Sequence, residues 1–221
     1  GKTEIFKRVV NRLFFEQDHS DPNAIIPVYY AFPEEQIERW EFCTRYAENF
    51  LRWFVAFRLR RPEIISETAI LRQDLSDFVR EQMEISGALD GILRILRGLR
   101  EHEITLPEYT VLNLPREIAD LHELTIAVFL DEFQNTHLPQ HEFRVVGFMQ
   151  EAVESISCPH FVTGSAIGIL KDILGRGALF GRFESKPIEA LTDYYGAELA
   201  LKASRFYRAD VSERMAPDVS D

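Results

Sequence analysis

Four short groups of residues carry side chains suited to one chemistry, the handling of phosphate. Gly1-Lys2-Thr3 stands directly before an amphipathic segment. A glycine lets backbone N–H groups turn toward phosphate oxygens, a lysine reaches the outer phosphates, and a threonine hydroxyl can ligate Mg²⁺. A helix beginning there adds the positive end of its dipole. The tripeptide forms the last part of the phosphate-binding motif G-x-x-x-x-G-K-[ST], and the competing reading is a chance solvated chain start. The apolar run Thr125-Ile126-Ala127-Val128-Phe129-Leu130 ends in Asp131-Glu132. There Asp131 suits Mg²⁺ held through water and Glu132 suits activation of an attacking water; the plainer reading is acidic residues closing a strand at the surface. Thr163-Gly164-Ser165 offers hydroxyls to sense a γ-phosphate, or equally a strand exit and helix cap. Arg182, with Arg176 nearby in a glycine-bearing loop, suits charge developing at that phosphate, or simply the exposed surface.

Periodicity supplies the elements that must position these groups. Residues 4–15 read as a helix with Ile5, Val9 and Leu13 on one stripe and Phe6, Val10 and Phe14 beside it. Residues 25–32 read as a strand with Pro27 near its beginning or at a sheet edge. Helices are expected over 35–61, stopped by Pro62, over 66–86, through Ile92, Leu96 and Leu99, and over 115–121. The run 125–130 has the continuous apolar pattern of a strand covered on both faces. A helix from Pro139 carrying Phe143, Val146, Met149, Val153 and Ile156, a strand over 160–163, a helix over 166–174, a strand over 188–191 and a helix over 193–205 complete the pattern. Alternating strands and helices predict a parallel sheet flanked by helices.

Composition narrows the class. The chain has 221 residues, 46% hydrophobic and 28% charged, an ordinary globular balance that excludes wholesale disorder. No apolar run reaches the roughly 18–20 residues that cross a bilayer. Two isolated cysteines, Cys43 and Cys158, make neither a disulfide framework nor a cysteine zinc site, which favours a reducing, cytoplasmic setting. A net charge of −11 disfavours nucleic acid as the partner of the whole surface.

In this order, GKT-helix, TIAVFLDEFQ, HFVTGS, AIGILKDIL, GRF and PIEAL resemble the predominantly archaeal P-loop ATPase family of the AAA+/STAND group, over residues 1–16 and about 124–205. The resemblance implies a three-layer P-loop NTPase α/β fold with a parallel sheet of order 5-1-4-3-2. It implies binding of ATP and Mg²⁺, with ATP hydrolysis used as a conformational switch. Gly1, Lys2 and Thr3 then contact phosphate, with Thr3 and Asp131 as Mg²⁺ ligands. Asp131 and Glu132 become the Walker B carboxylates, Ser165 or Thr163 the sensor, and Arg182 the arginine finger; Gln134 positions water or a neighbouring loop. The ATPase core spans 1–209, and 210–221 is a loose tail or the start of a lid. The chain departs from the family pattern in three places. The first strand and its glycines should precede Gly1, so the chain is expected to be part of a longer one. A helical insertion over about 35–122 separates strands 2 and 3. Too little follows Arg205 for a complete lid.

The competing class is a non-catalytic scaffold gated by ATP or ADP, assembling with itself or a protein partner through the helical insertion; a third is an α/β interaction domain with a chance GKT. Arg45, Arg52, Arg58, Arg60 and Arg61 lie among Trp53, Phe54 and Phe57, a pattern for nucleic acid or, more commonly, for a buried aromatic stripe with arginines at the surface. His137 and His141 have a zinc spacing, but Pro139 lies between them and no carboxylate motif accompanies them.

Overall fold

The computed structural model describes residues 2–66, 75–137 and 145–186, together with 192, 194, 195, 197, 198, 201 and 202. The chain divides into two units, Gly1–Glu184 and Ser185–Asp221, and the sheet belongs to the first. The elements, in chain order, are α1 (Lys2–Phe15), β1 (Ile25–Ala31), α2 (Arg39–Leu59), α3 (Leu75–Gln82), α4 (Gly87–Arg100), α5 (Pro107–Leu121), β2 (Thr125–Asp131), β3 (His160–Val162) and α6 (Ile167–Gly175).

The three strands among the described residues are parallel, in the order β1-β2-β3. Ile25 pairs with Thr125 through to Ala31 with Asp131, and Val128–Leu130 pair with His160–Val162. The parallel sheet with helices is the α/β arrangement expected, and α2–α5 lie between β1 and β2 in the chain. The expected strand 188–191 lies outside the described residues. Successive side chains of a strand point to opposite faces. Phe129, with Tyr29 opposite it in register, lies on the face covered by α1, where Phe6 meets the Phe129 ring edge-on at 5.4 Å. Tyr30 lies on the other face, packed against Phe42 and Tyr46 of α2. The middle strand is therefore sandwiched, and Ile126–Asp131 are all buried.

Among the described residues β1 is an edge strand, and side chains close its outer side. Gln17 donates to the Ile25 carbonyl and accepts from the Ile25 N–H, each at 2.8 Å, and Asn49 donates to the Tyr29 carbonyl at 3.0 Å. Pro27, two residues from Ile25, turns its donor-less nitrogen to the same outer side, so a buried proline costs this strand no ladder bond.

Several sequence expectations change. On α1 Val10 and Phe14 are buried and Phe6 and Leu13 are partly buried against the core, while Ile5 and Val9 are exposed. The helix expected from residue 35 begins at Arg39, because the Glu38 carboxylate caps the N–H groups of Trp40 and Glu41; it ends at Arg60, which adopts φ 57°. The helix expected over 66–86 is α3 alone among the described residues, and Ser86 instead caps α4 by accepting from the Leu89 N–H. The helix expected to open at Pro115 starts at Pro107, and Pro115 lies inside it. There Pro115 deprives the Val111 carbonyl of its donor, yet Val111, Leu112, Leu114 and Ile118 bury one face deeply enough to keep the helix. Of the helix expected from Pro139, residues 138–144 lie outside the described residues, and the stretch after them forms two single 3₁₀ turns, Val146–Phe148 and Ala152–Glu154. Ile156, expected on that helix's stripe, is 98% exposed. The hydroxyls of Ser155 and Ser157 on either side turn to Asp120 instead, and the Ser157 carbonyl accepts the Ile126 N–H as the chain enters β3.

Candidate functional site

Parallel strands bring their C-terminal ends to one side of a sheet, and Asp131, Glu132, Thr163 and Ser165 lie there. Asp131 is the last residue of β2 and is only 2% exposed. Burying a carboxylate is tolerable only where it is hydrogen-bonded. Its Oδ2 accepts from the Tyr29 hydroxyl at 2.8 Å and its Oδ1 from the Glu132 N–H at 2.9 Å. Burial, and then the bond to Asp131, raise the Tyr29 phenol above its ordinary range, so it stays a neutral donor.

Glu132 leaves the strand with φ 51°, a left-handed conformation that costs a non-glycine residue of order 1 kcal/mol. This residue reverses the chain into the 3₁₀ turn Phe133–His137, whose first N–H, that of Phe133, donates to the Thr163 carbonyl at 3.0 Å. The Thr163 N–H in turn donates to the Leu130 carbonyl at 2.9 Å. The two strand exits are thus stitched together by backbone. Across that seam the Gln134 side-chain amide donates to the Glu132 carboxylate and, at 3.2 Å, to the Ser165 hydroxyl. Ser165 Oγ also donates to Glu132 at 3.4 Å. The other amide atom, Gln134 Oε1, is buried without a hydrogen-bond partner among the described residues and lies against Gly164. An added Cβ at Gly164 would overlap it and would meet Leu170 Cδ1 at 3.1 Å, so any larger residue here has to displace the Gln134 amide.

From the amino end of α1, the Lys2 ammonium donates to the Gly164 carbonyl at 3.3 Å. One continuous chain of contacts therefore runs from Lys2 through Gly164 and Ser165 to Glu132 and Asp131. Thr3 follows Lys2 and is partly buried; Gly1 lies outside the described residues. Of the two sensor candidates, Ser165 reaches Glu132 through its hydroxyl, while Thr163 is buried and contributes both of its backbone groups.

The arginine candidates are engaged elsewhere. Arg182 donates to Glu154 at 2.7 Å and to the Phe180 carbonyl at 3.4 Å, and Glu154 belongs to the segment entering the opposite end of β3. Arg176 pairs with Asp172 on the exposed surface. Trp53, Phe54 and Phe57 are buried and so cannot stack on bases, while Arg45, Arg60 and Arg61 pair with acidic residues and Arg58 lies over Phe54. Among the described residues no group of three or more His, Cys, Asp or Glu is gathered for a metal, and His141 lies outside them. Both cysteines are free and buried; burial pushes the Cys43 thiol up to about 12. Among the described residues no helix is long and apolar enough to cross a membrane.

Tyr29 is the residue that reading the sequence missed. In a run of Val28, Tyr29 and Tyr30 it looks like strand filling, and only the β1–β2 register puts its hydroxyl beside Asp131. No protein-family model, curated protein or solved structure matches this chain.

Proposed function

We propose that this chain is the nucleotide-handling domain of a P-loop ATPase of AAA+/STAND type, using Mg-ATP as a conformational switch within a larger protein. The observation that carries the reading is the chain of contacts that joins the start of α1 to the acidic tip of a buried strand through Gly164, Ser165 and Glu132. Ligands of open α/β sheets sit at such strand ends.

The donors fit the group implied. Asp131 and Thr3 offer hard oxygens, and Mg²⁺ is commonly held by one or two protein oxygens plus substrate phosphates and water. When bound, Mg²⁺ neutralises charge on the outer phosphates. The remaining work falls to the chain's own residues. Lys2 exchanges its neutral carbonyl partner for phosphate oxygens, which a cation binds more strongly. Glu132 accepts the proton of the attacking water through Oε1, while Gln134 and Ser165 hold its Oε2 and orient the carboxylate. Ser165, beside it, is placed to follow the γ-phosphate. Arg182 serves as a finger only after leaving Glu154.

Mg²⁺-dependent ATP turnover by the full-length protein tests this. Glu132→Gln should lower turnover by about 10²–10⁴-fold while leaving nucleotide binding in place; unchanged turnover would refute the catalytic reading. One observation favours a second reading, a non-catalytic nucleotide-gated scaffold: Gln134 and Ser165 both bond Glu132 Oε2, tying one oxygen of that carboxylate into the seam between the two strand exits. Negligible turnover, together with an oligomeric state that differs between ATP and ADP, would select it.

A further inference from the structure

The side chain that holds Asp131 comes from a different strand, and no step of the proposed hydrolysis uses it. We infer that Tyr29 is a positioning residue, fixing the Asp131 carboxylate for the divalent cation that accompanies a bound nucleotide; the inference rests on the nucleotide-binding reading of the site.

The geometry is specific. Tyr29 pairs in register with Phe129, two residues before Asp131, so its side chain stands on the same sheet face and leans along the strand to the carboxylate. Asp131 receives one described donor on each oxygen, the Tyr29 hydroxyl on Oδ2 and the Glu132 N–H on Oδ1. Each carboxylate oxygen has two lone pairs. Two donors on two different oxygens therefore set the rotation of the carboxylate plane and leave a lone pair on each oxygen to face a cation or its water. Remove the phenolic donor, and only a bond from the adjacent backbone restrains the group, which no longer fixes its plane.

The donor is itself held. The Tyr29 carbonyl accepts from Asn49 of α2 at 3.0 Å, which pins the outer side of β1 where the phenol departs. The hydroxyl thus links the helices following β1 to the carboxylate that ends β2. Tyr29 needs no contact with the nucleotide for this role, and it acts through Asp131.

The test uses Tyr29→Phe in the full-length protein, which removes one oxygen and keeps the ring. Mn²⁺ binding in the presence of ADP, read by electron paramagnetic resonance, should weaken by about tenfold, the low end of the loss usual when a group that orients a metal ligand is removed. ADP binding in the presence of a chelator should stay within about twofold of the parent, a split that a merely structural role would not produce. In turnover, the Mg²⁺ concentration for half-maximal rate should rise by a similar factor, with the rate at saturating Mg²⁺ near that of the parent. Asp131→Asn is the companion variant. If Asp131→Asn abolishes Mn²⁺ binding and Tyr29→Phe leaves it unchanged, the role of Tyr29 is overturned and the nucleotide reading stands. If the parent itself binds no Mn²⁺ with ADP, both fall together.

Discussion

Lowering the pH should unfold this protein partly through one histidine at the start of β3. His160 places Nδ1 2.8 Å from the Cys158 carbonyl, so Nδ1 carries the proton, while Nε2 is buried with no partner among the described residues. Burial pushes its pKa from the ordinary 6.5 down to about 4, and the bond to the Cys158 carbonyl opposes this only in part. Above pH 6.5 the ring is neutral in folded and unfolded chains alike, and the native state keeps its full stability. Between 6.5 and 4 the unfolded chain binds a proton that the folded chain refuses, so stability falls with the pH. At about 1.4 kcal/mol for each tenfold rise in proton concentration, the loss is roughly 2 kcal/mol at pH 5 and about 3 kcal/mol at pH 4. Urea unfolding followed by circular dichroism at pH 7.5 and pH 5 measures it, and 2 kcal/mol corresponds to a midpoint shift of about 1 M. Other groups titrate over the same interval, so the comparison is with His160→Phe, which removes the ionisation. That variant loses the Cys158 bond, worth about 1 kcal/mol at neutral pH, but should lose about 2 kcal/mol less than the parent on acidification. If parent and variant lose the same amount, the ring nitrogen is not shielded from water and the reasoning fails.

Other expected outcomes concern the packing that holds the site. Gly164→Ala should destabilise by about 1–3 kcal/mol by overpacking against Gln134 and Leu170, and much of that loss should return in the Gly164→Ala/Gln134→Ala double variant, as melting curves would show. Phe129→Ala, which removes a buried ring packed between Phe6 and Phe161, should cost about 3–5 kcal/mol in the same assay. Arg39→Met should cost about 3 kcal/mol at neutral pH, because Arg39 holds Glu108 at 2.6 and 2.8 Å and the Glu108 side chain is only 4% exposed. Glu132→Gly should keep or raise the melting temperature, since glycine adopts the left-handed turn freely, while ATP turnover by the full-length protein falls by about 10²-fold or more.

Local pattern determined much of this protein. The apolar run of β2 announced a strand buried on both sides, the HFVTG stretch announced β3, and the 3.6-residue spacing of Ile92, Leu96 and Leu99 announced α4, because each element must bury its own apolar face. The carboxylate pair and the T-G-S exit could be named as candidates for the same reason: they stand where strands end. Tertiary structure alone decided which of those candidates meet. Parallel pairing in one register set Tyr29 beside Asp131, residues 102 positions apart in the chain. The backbone bond from Phe133 to Thr163 brought Glu132 and Ser165 together, and an ion pair with Glu154 took Arg182 elsewhere. Side-chain spacing along a chain encodes which face is apolar, whereas hydrogen bonds between distant strands depend on how whole faces pack, and no stretch of residues carries that information by itself.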